Sequence, residues 1–473
     1  MSIGTRLREA LQTTPKKYQI QAVRFLEENE GRGILGDDMG LGKTLEAIGW
    51  ISIHPEKSPV VVICPAAVKY QWQRQLQEHA GLDSEVLEGS KPYPPTKKIV
   101  IINYDILSSD SLWPNGRREK GARPIFPWVE TLRGMAPQVV ILDELHYIKN
   151  RSALRTRACV QLCRKIRHVI AASGTPIEKC PVEFFPVLNL IDPLQFGSFM
   201  KYAFRYCNPQ MGFRGHWNFQ GADNLEELHQ VVSTWMIRRM KIDVATELPP
   251  KIRTVLPVDI SNRKIYNRAE TDFLKWLEER HGEEAALRAA GAVGLTRLGQ
   301  LKQIAAQGKL SALQSWIGDF LEESGDDDKL VVFCVHRKIL AALRKFFPKS
   351  VSLLGGTPTG KRMEILKQFQ TDPKCRVFFG QLRAAGVGLD GLHKAASNVL
   401  FAELGWNFSE HEQAEDRCLR IGQDATAVNV YYLIGRGTVE EDILEMIQGK
   451  HDVCNQVLNG SIMDLKLFKR RRK

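Results

Sequence analysis

The stretch Gly36-Asp37-Asp38-Met39-Gly40-Leu41-Gly42-Lys43-Thr44 (36–44) decides the fold. It follows a short apolar run, Gly33-Ile34-Leu35, and opens the helical pattern LEAIGWI. A glycine-rich turn between strand and helix aims backbone N–H groups at phosphate, while the lysine adds a point charge and the threonine hydroxyl a magnesium ligand. The strict phosphate-loop pattern has glycine where this chain has Asp37, so the loop taken alone is also compatible with a chance glycine-rich turn. VVILDELH (139–146), about a hundred residues on, narrows the choice. A buried strand ending in adjacent carboxylates sets Asp143 beside magnesium and Glu144 within reach of an attacking water. A solvated acidic turn is the alternative for that segment alone. Two such segments in the right order, each after a strand, favour a site for phosphoryl transfer.

Outward from these segments, short β-branched runs alternate with helical patterns twice over, the signature of parallel sheets covered by helices. The first set is 33–35, 60–63, 99–102, 139–142 and 169–171; the second is 330–333, 351–353, 377–379, 399–401 and 428–432. The expected fold class is therefore α/β, with two lobes, a mostly helical insertion between them and a C-terminal helix. The domains are expected at 1–180, 181–325, 326–437 and 438–473. Leu248-Pro249-Pro250 interrupts the helical region, and Gly325-Asp326-Asp327-Asp328 marks a polar entry to the second lobe. Thr438 to Glu441 reads as a capping box, so a last helix is predicted from Val439 to about Leu458, followed by KLFKRRRK.

At 473 residues the chain exceeds what one core usually organises, and 43% hydrophobic with 25% charged residues is an ordinary globular balance. A formal charge of +12 favours a polyanionic partner, since each phosphate neutralised by Lys or Arg releases counterions. Nucleic acid thus outranks an acidic protein or a membrane. No run reaches the roughly 18 apolar residues of a membrane span, and MSIGTRLREALQ lacks the apolar segment of a signal peptide. The expected location is cytoplasmic, or nuclear in a eukaryote, without secretion or membrane insertion. Nine cysteines form no C-x-x-C pair; Cys159 and Cys163 lie one helical turn apart and read as buried thiols rather than half a metal site.

With these segments in place, the order of the remaining ones resembles the Swi/Snf-like DNA translocases of the second helicase superfamily, from about residue 15 to 458. The residues that carry the resemblance are KYQIQAVRFL (17–26), GDDMGLGKT (36–44), VICPAAVKYQWQRQL (62–76), INYDIL (102–107), LDELHYIKN (142–150), SGTP (173–176), VVFCVHRK (331–338), LLGGTP (353–358), RAAGVGLDGL (383–392) and LFAELGWNFSEHEQAEDRCLRIGQ (400–423). AEDRCLRIGQ is similar to this family rather than to strand-separating RNA helicases. The DDMGLGKT loop and the segments FRYCNPQ, WNFQGADNLEELHQ and IRRMKIDVATELPPK most resemble the annealing-helicase subfamily, which rewinds DNA and remodels forks. Leu145 stands where alanine is commoner, at a position with no catalytic role.

The resemblance implies two RecA-like lobes with ATP hydrolysed between them, ATP and Mg2+ as cofactors, and double-stranded or branched DNA as partner. Gln19 would read the adenine; Gly40, Leu41, Gly42, Lys43 and Thr44 would hold phosphate, with Thr44 and Asp143 on magnesium and Glu144 on the water. Gly388, Asp390 and Gln413 would complete the nucleotide site, and Arg417 and Arg420 would neutralise charge developing on the γ-phosphate; a pair of surface arginines one turn apart is the alternative reading. Lys69, Asn103, Tyr104, His336, Gly356, Thr357 and Trp406 match DNA-facing motifs, whose backbone-phosphate contacts would read no bases. Tyr104 and Trp406 are equally readable as core aromatics, and the tail Lys469 to Lys473 as a DNA tether or a solvated end. Two rival functions remain: a strand-separating helicase of DNA or RNA, and a regulatory DNA-binding protein with an inactive ATPase. Intact Lys43, Asp143, Glu144, Arg417 and Arg420 argue against the second.

Overall fold

The computed structural model describes residues 1–109, 124–211, 217–244, 248–278, 284–385, 391–420 and 422–459. By their contacts these fall into two units, the described residues of 1–244 with 452–459, and those of 248–451.

The first unit is built on an all-parallel sheet in the order Glu85–Val86, Ile99–Asn103, Val60–Cys64, Val139–Asp143, His168–Ala172, Gly33–Leu35, Met236–Ile237. Every residue of Val60–Cys64, Ile99–Asn103 and His168–Ala172 is buried. Val61, Ile63, Val100, Ile102, Val140 and Leu142 pack in one apolar layer, and Val60, Val62, Ile101, Val139 and Ile141 in another. A strand buried on both faces needs apolar residues at both parities, which is why these runs read as unbroken rather than alternating.

The second unit repeats the plan with Lys251–Val258, Val428–Gly435, Asn398–Phe401, Leu330–Cys334, Val377–Gln381 and Val351–Leu353, again all parallel. Val331, Phe333, Phe378, Val399 and Phe401 fill one layer, and Leu330, Val332, Phe379 and Leu400 the other. The expected α/β class with two parallel sheets is thus what the chain adopts.

The region expected to be mostly helical, from about 180 to 325, also supplies an edge strand to each sheet. Met236–Ile237 pairs with Ile34 and Leu35. Lys251–Val258 pairs with Val428–Gly435 along its whole length. Its sequence, KIRTVLPV, mixes charge with apolar residues and contains Pro257, as suits an edge strand with one side unpaired. Residues 181–244 lie in the first unit and 248–325 in the second, where helices Arg263–Glu278, Glu284–Gly308 and Leu310–Glu323 follow the edge strand.

The last helix, Val439–Asn459, starts where the cap predicts, although Glu440 rather than Glu441 turns back: its Oε2 accepts the Gly435 N–H at 2.8 Å, and Thr438 Oγ1 accepts the Glu440 N–H at 3.3 Å. Cys454, Val457 and Leu458 from its final turns belong to the core of the first unit. All nine cysteines are free and buried. Among the described residues no helix is long and apolar enough to cross a membrane.

Candidate active site

Three adjacent strands of the first sheet, Val139–Asp143, His168–Ala172 and Gly33–Leu35, end at one edge, and the loops that leave them carry the candidate chemistry. The loop after Gly33–Leu35 turns into helix Lys43–Ser52 through Gly40 (φ 83°) and Gly42 (φ 89°), both left-handed. A Cβ on Gly42 would lie 2.5 Å from the Gln19 amide nitrogen, so glycine is required there for backbone conformation and for space. Leu41 is buried, and its carbonyl accepts from the Tyr18 hydroxyl at 2.9 Å and the Gln19 amide at 3.0 Å. Gln19 Oε1 in turn accepts the Lys16 N–H at 2.9 Å, so Gln19 pins the loop to the helix Lys17–Glu28 with both ends of its amide. Lys43 donates to the carbonyls of Asp37 and Asp38 at 2.7 and 3.0 Å, and Thr44 follows it in the first helical turn, half-buried.

Asp143 closes its strand, and its Oδ2 accepts the Trp72 indole N–H at 2.7 Å. Burial, and then the neighbouring Glu144 carboxylate, push the Asp143 carboxyl up to about 7 against that bond and the Lys43 charge. Glu144 sits at φ 55°, a strained geometry for a non-glycine residue, and its Oε2 accepts from Ser173 Oγ at 3.3 Å and lies 3.3 Å from His146 Nδ1. Burial disfavours charge on His146, but Glu144 outweighs it and the imidazole's pKa is raised. Ser173 belongs to the loop after His168–Ala172; a Cβ on the next residue, Gly174, would meet Met39 at 2.5 Å and Lys43 Nζ at 3.4 Å. Lys43, Gly174, Ser173, Glu144 and Asp143 therefore share one crevice.

These groups suit a magnesium-bound nucleotide. Two adjacent carboxyls, one of them held at an elevated pKa by burial and then by its neighbour's charge, gain most from a divalent cation, and glycines 40 and 42 open the N–H groups at the start of a ten-residue helix. Thr44 and Asp143 would hold the metal.

Asp37, the departure from the strict loop pattern, is fully buried and faces Arg239. Its Oδ1 accepts from the Arg239 backbone N–H and Nε, each at 3.0 Å, and Oδ2 pairs with an Arg239 terminal nitrogen. Arg239 also reaches Glu46 at 3.2 Å and the Tyr18 carbonyl. Burial, and then Asp37, raise the Glu46 carboxyl well above the usual range, and its Oε2 has no hydrogen-bond partner among the described residues. Arg238 donates to the carbonyls of Gly36 (2.5 Å) and Gly174 (3.1 Å), to Asp38 Oδ1 (3.2 Å) and to Asn459 Oδ1 (2.8 Å). Sequence reasoning does not single out Arg238, Arg239 or Trp72. They lie inside quoted motifs, but no local spacing connects them to residues some seventy to two hundred positions away.

The other candidates distribute as follows. Lys69 is buried with Nζ on the Leu87 carbonyl at 3.0 Å, and Asn103 is buried with its amide 3.4 Å from Asp105. Tyr104 is 1% exposed, stacks on Tyr147 and donates to the Asp143 carbonyl at 2.7 Å, so its side chain supports the carboxylate strand from below. In the second unit His336 pairs with buried Glu403, Gly356 is exposed at φ 89°, and Thr357 Oγ1 donates to the Leu354 carbonyl at 2.8 Å. Trp406 is half-buried with the Lys302 ammonium 4.9 Å above its ring. Gln413 is buried; Arg417 and Arg420 are half-buried, and Arg420 Nε donates to the Asp416 carbonyl at 3.1 Å. Glu415, in the same motif, is fully buried and receives Lys251 at 2.8 Å, Arg253 at 2.6 and 2.8 Å, and the Tyr432 hydroxyl at 2.6 Å. Gly388, Asp390 and the tail 469–473 lie outside the described residues.

Comparison with known proteins agrees with this reading of the motifs. Residues 18–310 match the model of the SNF2-related domain, and residues 308–422 that of the helicase conserved C-terminal domain. The chain is 33% identical over 457 residues to the DNA annealing helicase and endonuclease ZRANB3 of Bos taurus, covering 94% of this chain and 40% of that protein. It is 30% identical over 457 residues to the Caenorhabditis elegans homolog of SWI/SNF-related matrix-associated actin-dependent regulator of chromatin subfamily A-like protein 1, covering 93% of this chain and 61% of that protein. The chain thus spans less than two thirds of the length of these relatives. The Sulfolobus solfataricus SWI2/SNF2 ATPase core in complex with dsDNA aligns over 97% of both chains at 24% identity, with a TM-score of 0.42.

Proposed function

The chain belongs to the SNF2-related family, and from that premise we propose that it is a DNA-dependent ATPase that moves along double-stranded DNA and remodels or reanneals branched DNA such as forks or bubbles. The observation that carries the proposal is the meeting of Lys43, Asp143 and Glu144 in one crevice, at the ends of two parallel strands that flank His168–Ala172, with Thr44 following Lys43 in the first helical turn. Lys43 would hold the transferring phosphate, and Glu144, oriented by Ser173 and His146, would orient the attacking water. Magnesium bound at Thr44 and Asp143 would neutralise phosphate charge. Arg417 and Arg420 are proposed to supply further cationic charge to the phosphoryl group. Lys69, Asn103, Tyr104, His336, Gly356, Thr357 and Trp406 remain proposed DNA-track positions; for Tyr104 the burial of its side chain favours an indirect role, through the strand that bears Asp143.

The annealing activity is proposed from likeness to relatives named for it. Triplex-strand displacement, blunt-duplex unwinding and bubble reannealing are measured side by side, with Glu144→Gln as control. ATP-dependent triplex displacement and bubble closure, without blunt-duplex unwinding, is the expected outcome. Efficient separation of a blunt duplex without triplex displacement would sink the translocase reading and promote a strand-separating helicase; ATP binding without hydrolysis, with or without DNA, would favour a regulatory DNA-binding protein.

A further inference from the structure

From Leu145 to Ile177 the chain carries seven Lys and Arg residues and no acidic one. Two of the seven are paired with carboxylates from outside the stretch, Lys149 with Glu178 and Arg167 with Glu30. Others converge. Helix Leu154–Cys163 turns Ala158, Cys159, Leu162 and Cys163 into the core of the first unit. Its other face, at the spacing i, i+3, i+4, i+7, presents Arg157, Val160, Gln161 and Arg164 to a cavity of about 860 Å³. Arg133, from helix Pro127–Gly134, and Arg151 complete the rim.

Arg133 is held in place by Glu130 at 3.2 Å and by the Gln161 carbonyl at 2.5 Å, and Arg151 rests on the Phe199 ring at 3.8 Å. Arg157 and Arg164 have no ion-pair or hydrogen-bond partner for their side chains among the described residues, and no carboxylate lines the cavity there. Polar helix faces in water usually interleave both signs, because like charges three, four or seven residues apart repel. Of the four guanidiniums around this concavity Arg133 has a carboxylate partner in Glu130, while Arg151, Arg157 and Arg164 lack that compensation among the described residues, and their flat donor forks fit phosphate oxygens.

We propose that this cleft is a second binding site for the phosphodiester backbone of nucleic acid, apart from the DNA-track candidates, none of which lines it. Arg157 and Arg164 stand about 10 Å apart along the helix, a rigid array that suits a linear polyanion better than a single small anion. That the polyanion is DNA rests on the motor reading above.

The test is a salt titration of DNA affinity in the full chain, wild type against Arg157→Gln/Arg164→Gln. Each phosphate contact contributes about 0.9 to the slope of log affinity against log salt on duplex DNA and about 0.7 on a single strand. Losing both arginines is therefore expected to lower the slope by about 2 on duplex, or somewhat less on single strand, with no change in base preference and an unchanged melting midpoint. A drop on blunt duplex and fork alike assigns the cleft to duplex backbone; a drop confined to forks with single-stranded arms assigns it to the single strand. Arg157→Lys/Arg164→Lys is expected to restore the slope. An unchanged slope on both substrates overturns the proposal, and weaker binding of poly-glutamate in that case would hand the cleft to an acidic peptide. ATP hydrolysis by the wild type that DNA does not stimulate would instead overturn the motor reading and leave this measurement interpretable.

Discussion

In the first unit one guanidinium, Arg239, faces two buried carboxyl groups, Asp37 and Glu46; in the second, one buried carboxylate, Glu415, faces two cations, Lys251 and Arg253. Both clusters fasten a segment at a sheet edge to a motif: the chain after Met236–Ile237 to the phosphate loop, and Lys251–Val258 to the QAEDRCLRIGQ segment. Their charge balance is opposite, and so is the consequence. Burial works against charge on Glu415, but Arg253 and Lys251 overcome it and hold the carboxyl far below the usual range. Glu46, short of cations, is driven the other way. Glu415 is held in its charged form, while Glu46 is driven towards neutrality beside the glycine-rich loop 36–44.

The largest effect belongs to the candidate site rather than to the clusters. Glu144→Gln and Lys43→Ala are each expected to lower turnover by on the order of 10³-fold or more with the fold intact. Nucleotide affinity separates them: Glu144→Gln keeps it and Lys43→Ala weakens it, so equal affinities in equilibrium binding would contradict a phosphate-holding Lys43 and a water-orienting Glu144.

Next comes the second cluster. Arg253→Met leaves Glu415 buried with a single cation and is expected to destabilise by about 3–5 kcal/mol, read as a lower midpoint in urea unfolding. The matching change in the first unit, Arg239→Met, should cost less, about 1–3 kcal/mol, because Glu46 is already driven towards its neutral form; it should also weaken nucleotide binding through the loop. An equal loss in both units would erase the contrast.

Smaller still is Glu46→Gln, expected within about 1 kcal/mol of wild type at neutral pH, since it replaces a group that the fold already drives towards neutrality. The pH dependences should run in opposite senses. A carboxyl depressed in the fold, such as Glu415, stabilises above its ordinary value of 4.5 and loses that contribution as pH falls below it. A carboxyl raised in the fold, such as Glu46, keeps a proton that the unfolded chain has released, so stability declines as pH rises above 4.5. Unfolding measured between about pH 5 and 8 should therefore show a flatter decline for Glu46→Gln, whereas Glu415→Gln should reduce the loss on acidification below about pH 4.5.

The sheets were legible because strands buried on both faces, such as Val60–Cys64 and Val139–Asp143, must be apolar throughout. Lys251–Val258 was not, because an edge strand keeps charged residues and tolerates Pro257, and Met236–Ile237 was too short to show a period. Lys43, Asp143 and Glu144 stood out through position in motifs. Asp37 stood out only as a misfit: its reason is Arg239, some two hundred residues away, and no local pattern reports so distant a contact. Tyr104 could be read as track or core from its residue type; its bond to the Asp143 carbonyl is a fact of packing.

The last turns of Val439–Asn459 carry a consequence for the order in which the chain is made. The first unit is discontinuous: Cys454, Val457 and Leu458 belong to its core, and Asn459 receives Arg238 beside the phosphate loop. A ribosome that has released the Gly33–Leu35 strand and all its neighbours must still translate the strands of the second sheet before that core can close. At about 5–20 residues per second, the wait from Arg238 to Asn459 lasts on the order of ten seconds or more. During that interval the nascent nucleotide-binding half displays an uncovered apolar patch and a loop without its last brace, so the part of the protein begun first is finished last.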